Sequence, residues 1–262
     1  MTPEAIDEAV SILERARLEG GAIEALPEHC RPRDADEAYA VQAALNQRLA
    51  AQLGPVVGHK IGCTNKRMQE YIGIGSPASG SVHERMVKQL RGEFRHGDLV
   101  HPGVECEIAA RLSTALPPAR APYTREAVAE AVDTLMPCFE IVDARFKDFR
   151  NAGAPSLIAD DFFDVGCVLG APVVNWRKLD LAKLKGEISI NGKLVSSGVS
   201  GDVMGHPFEA LAWLANELAR RGRGLKAGEF VTTGSICDVI WVNPGETAIG
   251  AIENLGSITA RF

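Results

Sequence analysis

The chain has 262 residues, 46% of them hydrophobic and 24% charged, with a formal net charge of −6. That is the profile of a globular protein with a sizeable core, and it excludes the concentrated basic face that nucleic-acid binding requires. No apolar run reaches membrane-spanning length, the first residues lack a signal peptide's basic-then-apolar order, and six scattered cysteines without a Cys-x-x-Cys pair lead us to expect reduced thiols in the cytoplasm.

Residues 2–19 read as a helix. Thr2 can cap it, Pro3 suits the first helical position, Ile6, Val10 and Leu13 form an apolar stripe, and Gly20-Gly21 ends it. A second helix begins near Asp34, with Glu37 as a capping-box partner. Its apolar face is Ala38, Val41, Leu45 and Leu49, and Gly54-Pro55 stops it. Residues 1–54 are therefore expected to form an N-terminal helical subdomain and residues 55–262 a β-rich domain. Up to about Gly103, glycines and prolines punctuate short apolar runs, as in a loop-rich β region. Residues 104–112 then read as a strand, 125–135 as a helix, 138–144 as a strand and 145–163 as a polar connection. Strands follow at 165–170, 186–190 and 193–198, with Asn191-Gly192 a hairpin turn between the last two. Residues 207–221 form the clearest helix, lined by Phe208, Leu211, Leu214 and Leu218 and closed by Gly222. Arg220, Arg221 and Arg223 suit its solvated end. Short strands at 230–233, 239–242, 247–252 and 257–262 complete an α+β chain.

The chemistry concentrates in acids. Glu105 and Glu107 stand at i and i+2 of a predicted strand, so their side chains share a face, with Cα atoms about 6.6 Å apart. Like charges side by side destabilise a sheet. Either that face meets water, or a divalent cation neutralises the pair. Glu140 lies inside the apolar run Phe139-Glu140-Ile141-Val142, where an unpartnered charge is costly. Oxygen-only donors suit magnesium or calcium.

Several segments, in order, carry a resemblance. Gly58-His59-Lys60-Ile61-Gly62-Cys63-Thr64, Glu105-Cys106-Glu107, Glu140-Ile141-Val142-Asp143-Ala144-Arg145, Thr232-Thr233-Gly234-Ser235 and residues 254–262 are similar to segments of one family. It is the 2-keto-4-pentenoate hydratase and 4-oxalocrotonate decarboxylase family, within the fumarylacetoacetate hydrolase superfamily. The resemblance implies a mixed, twisted β-roll with flanking helices that forms a homo-oligomer. It implies that Glu105, Glu107 and Glu140 bind Mg2+ or Mn2+, that Lys60 is catalytic, and that Ser235 and Asp160 contact a small 2-oxo acid. The implied activity is a metal-dependent lyase adding water to a 2-oxo-4-enoate or 2-hydroxydienoate. A 4-oxalocrotonate-type decarboxylase is the alternative, followed by an acylpyruvate hydrolase or a non-catalytic 2-oxo-acid-binding homologue.

The chain departs from the pattern twice. Pro77-Ala78-Ser79-Gly80 stands where hydratase members usually have Pro-Asp-Phe-Gly, and Ala78 cannot transfer a proton. The family's Ala-Asp-Asn-Ala-Ser becomes Ala159-Asp160-Asp161-Phe162-Phe163. Those rings are expected to join the core; alternatively, one of them narrows the pocket or accepts an apolar substrate tail. His59, His83 and His206 are read as structural.

Overall fold

Local signals act as the sequence predicts at the N-terminus. In the computed structural model, which describes residues 1–262, helix α1 spans Pro3–Glu19, and the Thr2 side chain accepts from the Ala5 N–H. Helix α2 spans Ala35–Leu53, and Asp34 Oδ1 accepts from the Glu37 N–H. The capping box is only half made, because the Glu37 carboxylate takes the Arg33 N–H, one residue before the cap.

Seventeen further elements follow: β1 (Val56–Gly62), α3 (Lys66–Ile72), β2 (Ala78–His83), β3 (Val87–Gln89), β4 (Arg91–Glu93), β5 (Pro102–Leu112), α4 (Arg125–Ala131), β6 (Val132–Asp143), α5 (Ala154–Ala159), β7 (Asp164–Leu169), β8 (Lys185–Ile190), β9 (Lys193–Val199), α6 (Pro207–Arg220), β10 (Phe230–Ser235), β11 (Ile240–Trp241), β12 (Thr247–Ile252) and β13 (Gly256–Arg261). The larger sheet runs β2-β1-β10-β5-β6-β7-β3, with β11 also pairing with β5; the smaller runs β4-β13-β12-β8-β9. Both are mixed, with β1–β10, β3–β7 and β4–β13 parallel. Phe139 of the larger sheet and Gly250 of the smaller sheet touch: a Cβ on Gly250 would fall 2.7 Å from the ring. Asn191 and Gly192 turn the β8–β9 hairpin at φ 51° and 82°, as a two-residue turn with two left-handed positions requires.

Two large cores fill the molecule, with a small third cluster around Val82, Met136 and Phe230. One joins the sheets to α6 through Phe139, Ile188, Phe208, Leu211 and Ile258. The other joins α1 and α2 to later residues, with Leu13, Leu45 and Leu49 packed among Ala78, Phe146, Ile158 and Phe162. The N-terminal helices thus share their core with the segments that border the site. No helix is long and apolar enough to cross a membrane.

The structure differs from the expected elements in three places. The helix expected over 125–135 stops at Ala131, and β6 begins at once. Residues from Val132 onward pair with the full length of β5, from Leu112↔Val132 to Pro102↔Asp143. Burial on a central strand there overrides helix propensity. Pro137 sits inside β6, and its carbonyl accepts from the Gly170 N–H. The second difference is α3, capped by Asn65, whose side chain accepts from the Met68 N–H. The third is the connection 145–163, which contains α5 and then three successive non-glycine residues at positive φ: Asp161 (53°), Phe162 (50°) and Phe163 (72°).

Candidate active site

Neighbouring strands β5 and β6 bring the three glutamates together. Their register sets Glu105 directly opposite Glu140, the arrangement in which like charges repel most. One carboxylate oxygen from each of Glu105, Glu107 and Glu140 lies within 4.8 Å of the others. Glu107 and Glu140 are 0% and 1% exposed, so water cannot relieve the repulsion. Burial first, then the neighbouring carboxylates, pushes Glu107 well above the usual carboxylate range. Burial and Glu140 push Glu105 up to about 7. Glu107 Oε1 and Glu140 Oε2 accept no hydrogen bond. Buried polar atoms are normally satisfied, and hard oxygen donors left without partners in a cluster of three carboxylates fit a divalent cation of the magnesium or manganese kind.

One cation of the chain itself reaches this cluster. Lys60, on β1 and 2% exposed, places Nζ 2.8 Å from Glu140 Oε1. Burial works against its ammonium, but the charges of Glu140, Glu105 and Glu107 outweigh that and raise its pKa. Beside these carboxylates Lys60 therefore keeps its proton and is a buried cation. Its Nζ also donates to the Phe162 carbonyl at 2.8 Å and lies 5.1 Å from the centre of the Phe162 ring. Glycines make the room: a Cβ on Gly62 would meet Phe162 Cδ1 at 2.6 Å, and one on Gly80 would meet the Asp161 carbonyl oxygen at 2.5 Å.

The left-handed run 161–163 costs about 1–2 kcal/mol per residue for side chains with a Cβ, and its surroundings hold it in place. Arg17 Nη1 donates to the Asp160 carbonyl and Nη2 to that of Asp164, both at 3.0 Å. Arg145 Nη2 donates to the same two carbonyls at 3.2 and 3.0 Å. Asp161 Oδ1 accepts from Asn46 Nδ2 and from the Ser81 N–H, each at 2.9 Å. The Asp160 carboxylate accepts from Arg145 Nε at 2.7 Å and Arg17 Nη1 at 3.4 Å. Asp160 does not line the site cavity, so the geometry places it as a clamp on the loop and not, as expected from sequence, against substrate.

A cavity of ≈60 Å³ opens beside this cluster, bordered by Lys60, Cys63, Thr64, Asn65, Glu105 and Ser235 among others. Ser235 Oγ donates to the Cys237 carbonyl at 2.7 Å, so it offers lone pairs to a ligand unless it rotates. Next to it, the Gly234 N–H donates to Glu107 Oε2 at 2.8 Å. Gly234 has φ 115°, and a Cβ there would collide with Thr64 Oγ1 at 2.3 Å, so only glycine serves. Sequence reasoning missed Gly234, Thr64 and Asn65 as site residues. The first two lie inside motifs that carry the resemblance, and Asn65 announces itself only as a helix cap. None of His59, His83 and His206 lines the cavity. His59 faces Glu229 at 3.7 Å, His83 sits between Gly54 O and Asn46, and His206 Nδ1 accepts from the Phe208 N–H.

A mixed β-roll with an acidic, oxygen-donor cation site beside a buried lysine defines the class: a protein with a carboxylate site for a divalent metal. The family model for the fumarylacetoacetate (FAA) hydrolase C-terminal region matches residues 45–262, and the chain belongs to that family. It is 32% identical over 262 residues to a 2-keto-4-pentenoate hydratase of Paraburkholderia xenovorans (strain LB400), covering 100% of this chain and 96% of that one. It is 31% identical over 226 residues to a 4-oxalocrotonate decarboxylase of Pseudomonas putida, covering 86% and 84%. The structure of 4-oxalocrotonate decarboxylase from Pseudomonas putida G7, complexed with magnesium and adipate, superimposes with a TM-score of 0.93 at 28% identity, covering 100% of this chain and 98% of that one.

Proposed function

We propose that the protein is a metal-dependent lyase that adds water to a 2-hydroxydienoate through its 2-oxo-enoate tautomer. The observation that carries this reading is the convergence of three carboxylates, two of them fully buried, on Lys60 at a cavity. Glu105, Glu107 and Glu140 would hold magnesium or manganese, which when bound favours negative charge on the substrate's 2-oxygen. Lys60 adds a second positive charge and a proton on Nζ. In the first step the dienol gains a proton at C5 and loses one from the 2-hydroxyl, leaving the C3–C4 double bond. Water oxygen then bonds to C4 and a proton to C3, giving the 4-hydroxy-2-oxo acid. Ser235 is assigned to a substrate or water hydrogen and Asp160 to positioning the loop. The test is the loss of dienol absorbance with magnesium or manganese, and appearance of the 4-hydroxy-2-oxo acid. Absence of turnover for every 2-hydroxydienoate tried would refute the reading.

One observation favours a second reaction. Ala78, 0% exposed, packs in the core with α1 and α2 where hydratase members carry an acid. Loss of carbon dioxide from a 2-oxo-3-enedioate forms the same enolate without that acid, so carbon dioxide release is to be measured beside water addition.

Two broader expectations join the proposal. Self-association is supported by Leu194 and Ile249, which flank Ser189 on neighbouring strands and are 52% and 41% exposed; light scattering tests it. Six free, buried cysteines support a reducing, cytoplasmic setting.

A further inference from the structure

We propose that the substrate's end remote from its 2-oxo acid is an uncharged alkyl or aryl group, seated in a second cavity of ≈310 Å³; this rests on the reading of the glutamate cluster as the place where the acid end binds. The two cavities share Glu105, Val142, Met68, Ile72 and Phe163. A ligand anchored at the glutamates therefore runs into the larger one. Its walls include four rings, with Phe149 as the hub: Tyr71, Phe163 and Trp241 have centroids 6.4, 5.6 and 6.3 Å from it. The Phe163 backbone sits in the clamped left-handed run, so the ring that replaces the family's small residue is held in position.

The groups at this end favour an apolar tail over a second carboxylate. Arg67 is the one cation bordering the cavity, and it is already paired with Asp238. Arg150 lies outside the lining, its guanidinium stacked 4.8 Å from the Tyr71 ring centre and 5.9 Å from that of Phe149. A distal carboxylate would lose water among aromatic rings and face Asp238, and the nearby cations are engaged, Arg67 with Asp238 and Arg150 on the ring faces of Tyr71 and Phe149. Decarboxylation of an enedioate needs that carboxylate, so the inference favours hydration.

The test uses the magnesium-loaded protein and three inert 2-oxo acids: 2-oxopentanoate, 2-oxo-5-phenylpentanoate and 2-oxoadipate. Binding is read by calorimetry and by the fluorescence of tryptophan, Trp241 included. The phenyl compound is expected to bind about tenfold or more tightly than 2-oxopentanoate, and 2-oxoadipate about tenfold more weakly. Asp238→Asn, which frees Arg67, is expected to narrow the 2-oxoadipate deficit; Phe149→Ala is expected to shrink the phenyl advantage. Oxalate, which has no tail, reports in each variant whether the acid end still binds. The series on the unaltered protein decides the matter without either variant: 2-oxoadipate binding as tightly as the phenyl compound overturns the inference. If the phenyl preference holds but no 2-hydroxydienoate is turned over, the proposed reaction falls and the apolar subsite stands. If no 2-oxo acid binds, both fall.

Discussion

Gly62→Ala tests whether the Phe162 ring and Lys60 depend on a missing side chain. Gly62 is not among the residues at positive φ, so alanine meets no left-handed strain there. Replacing glycine would by itself add up to about 1 kcal/mol of stability through the unfolded chain. The new Cβ, however, falls 2.6 Å from Phe162 Cδ1 and 3.3 Å from Lys60 Nζ. Carbon atoms pack at about 3.5–4.0 Å, so the ring must retreat by roughly 1 Å. It is attached to a run whose flanking carbonyls are gripped by Arg17 and Arg145, and whose own carbonyl accepts from Lys60. Overpacking of this kind costs about 1–3 kcal/mol, for a net loss of about 1–2 kcal/mol and a fall in Tm of roughly 2–8 °C. A catalytic group displaced by about 1 Å can lose about 100-fold in rate. Thermal unfolding at fixed metal concentration and dienoate turnover measure both effects. The sharper assay is a double-mutant cycle with Phe162→Ala. That change alone costs about 3–5 kcal/mol through the cavity it leaves, but it removes the ring that clashes. In the double variant the Gly62→Ala cost should vanish, a coupling of about 1–3 kcal/mol. Additivity within about 0.5 kcal/mol, or an unaltered Tm and rate for Gly62→Ala alone, would refute the reasoning.

Other outcomes follow from the same contacts. Magnesium or manganese at 100 times its Kd should stabilise the protein by about 2.7 kcal/mol; Glu107→Gln should abolish that gain in a thermal melt, and chelation should end turnover of the unaltered enzyme. Lys60→Met should lower turnover about 10²–10⁴-fold; a decrease below threefold would remove Lys60 from the chemistry. Asp164 is buried and held up at about 8, by burial first, with Arg17 pulling the other way, against an unfolded value of 3.8. The folded chain therefore holds the extra proton between those values, so stability is greatest below about pH 4 on this group's account and is lost as pH rises towards 8. Asp164→Asn should flatten that slope and be more stable than the parent at pH 8, on the order of 1–3 kcal/mol; urea unfolding at several pH values measures it, and an undiminished slope contradicts it.

Periodicity and turn chemistry make much of the fold legible. Thr2, Pro3 and Asp34 start helices where caps should, and Asn191-Gly192 turns a hairpin. The start of β6 is not legible, because Val132 and Leu135 suit either element and only pairing with β5 decides between them. The same holds for the site. The i, i+2 spacing of Glu105 and Glu107 places both on one face, but it cannot set Glu140 opposite Glu105, which is a property of register between strands. Asp160 shows the opposite failure. It stands two residues before cavity-lining Phe162, and the left-handed backbone at 161–163 sends the successive side chains that follow it apart. Asp160 meets Arg145, Asp161 meets Asn46, and Phe162 and Phe163 reach the cavity.

The site combines two unfavourable features, like charges packed together and three strained residues in succession, and Lys60 connects them. Its ammonium sits 2.8 Å from both Glu140 Oε1 and the Phe162 carbonyl oxygen. Neutralising the glutamates with a cation would weaken one of these attractions and leave the other, so occupancy of the metal site should shift how firmly Lys60 holds the loop. Phe163 is the next residue along that loop, and its ring borders both cavities. On the proposed reading, the acid end and the tail of a substrate would be read by groups that share one cation. A change confined to Glu140 should alter tail preference as well as metal affinity, an effect that a rigid scaffold with independent subsites would not produce.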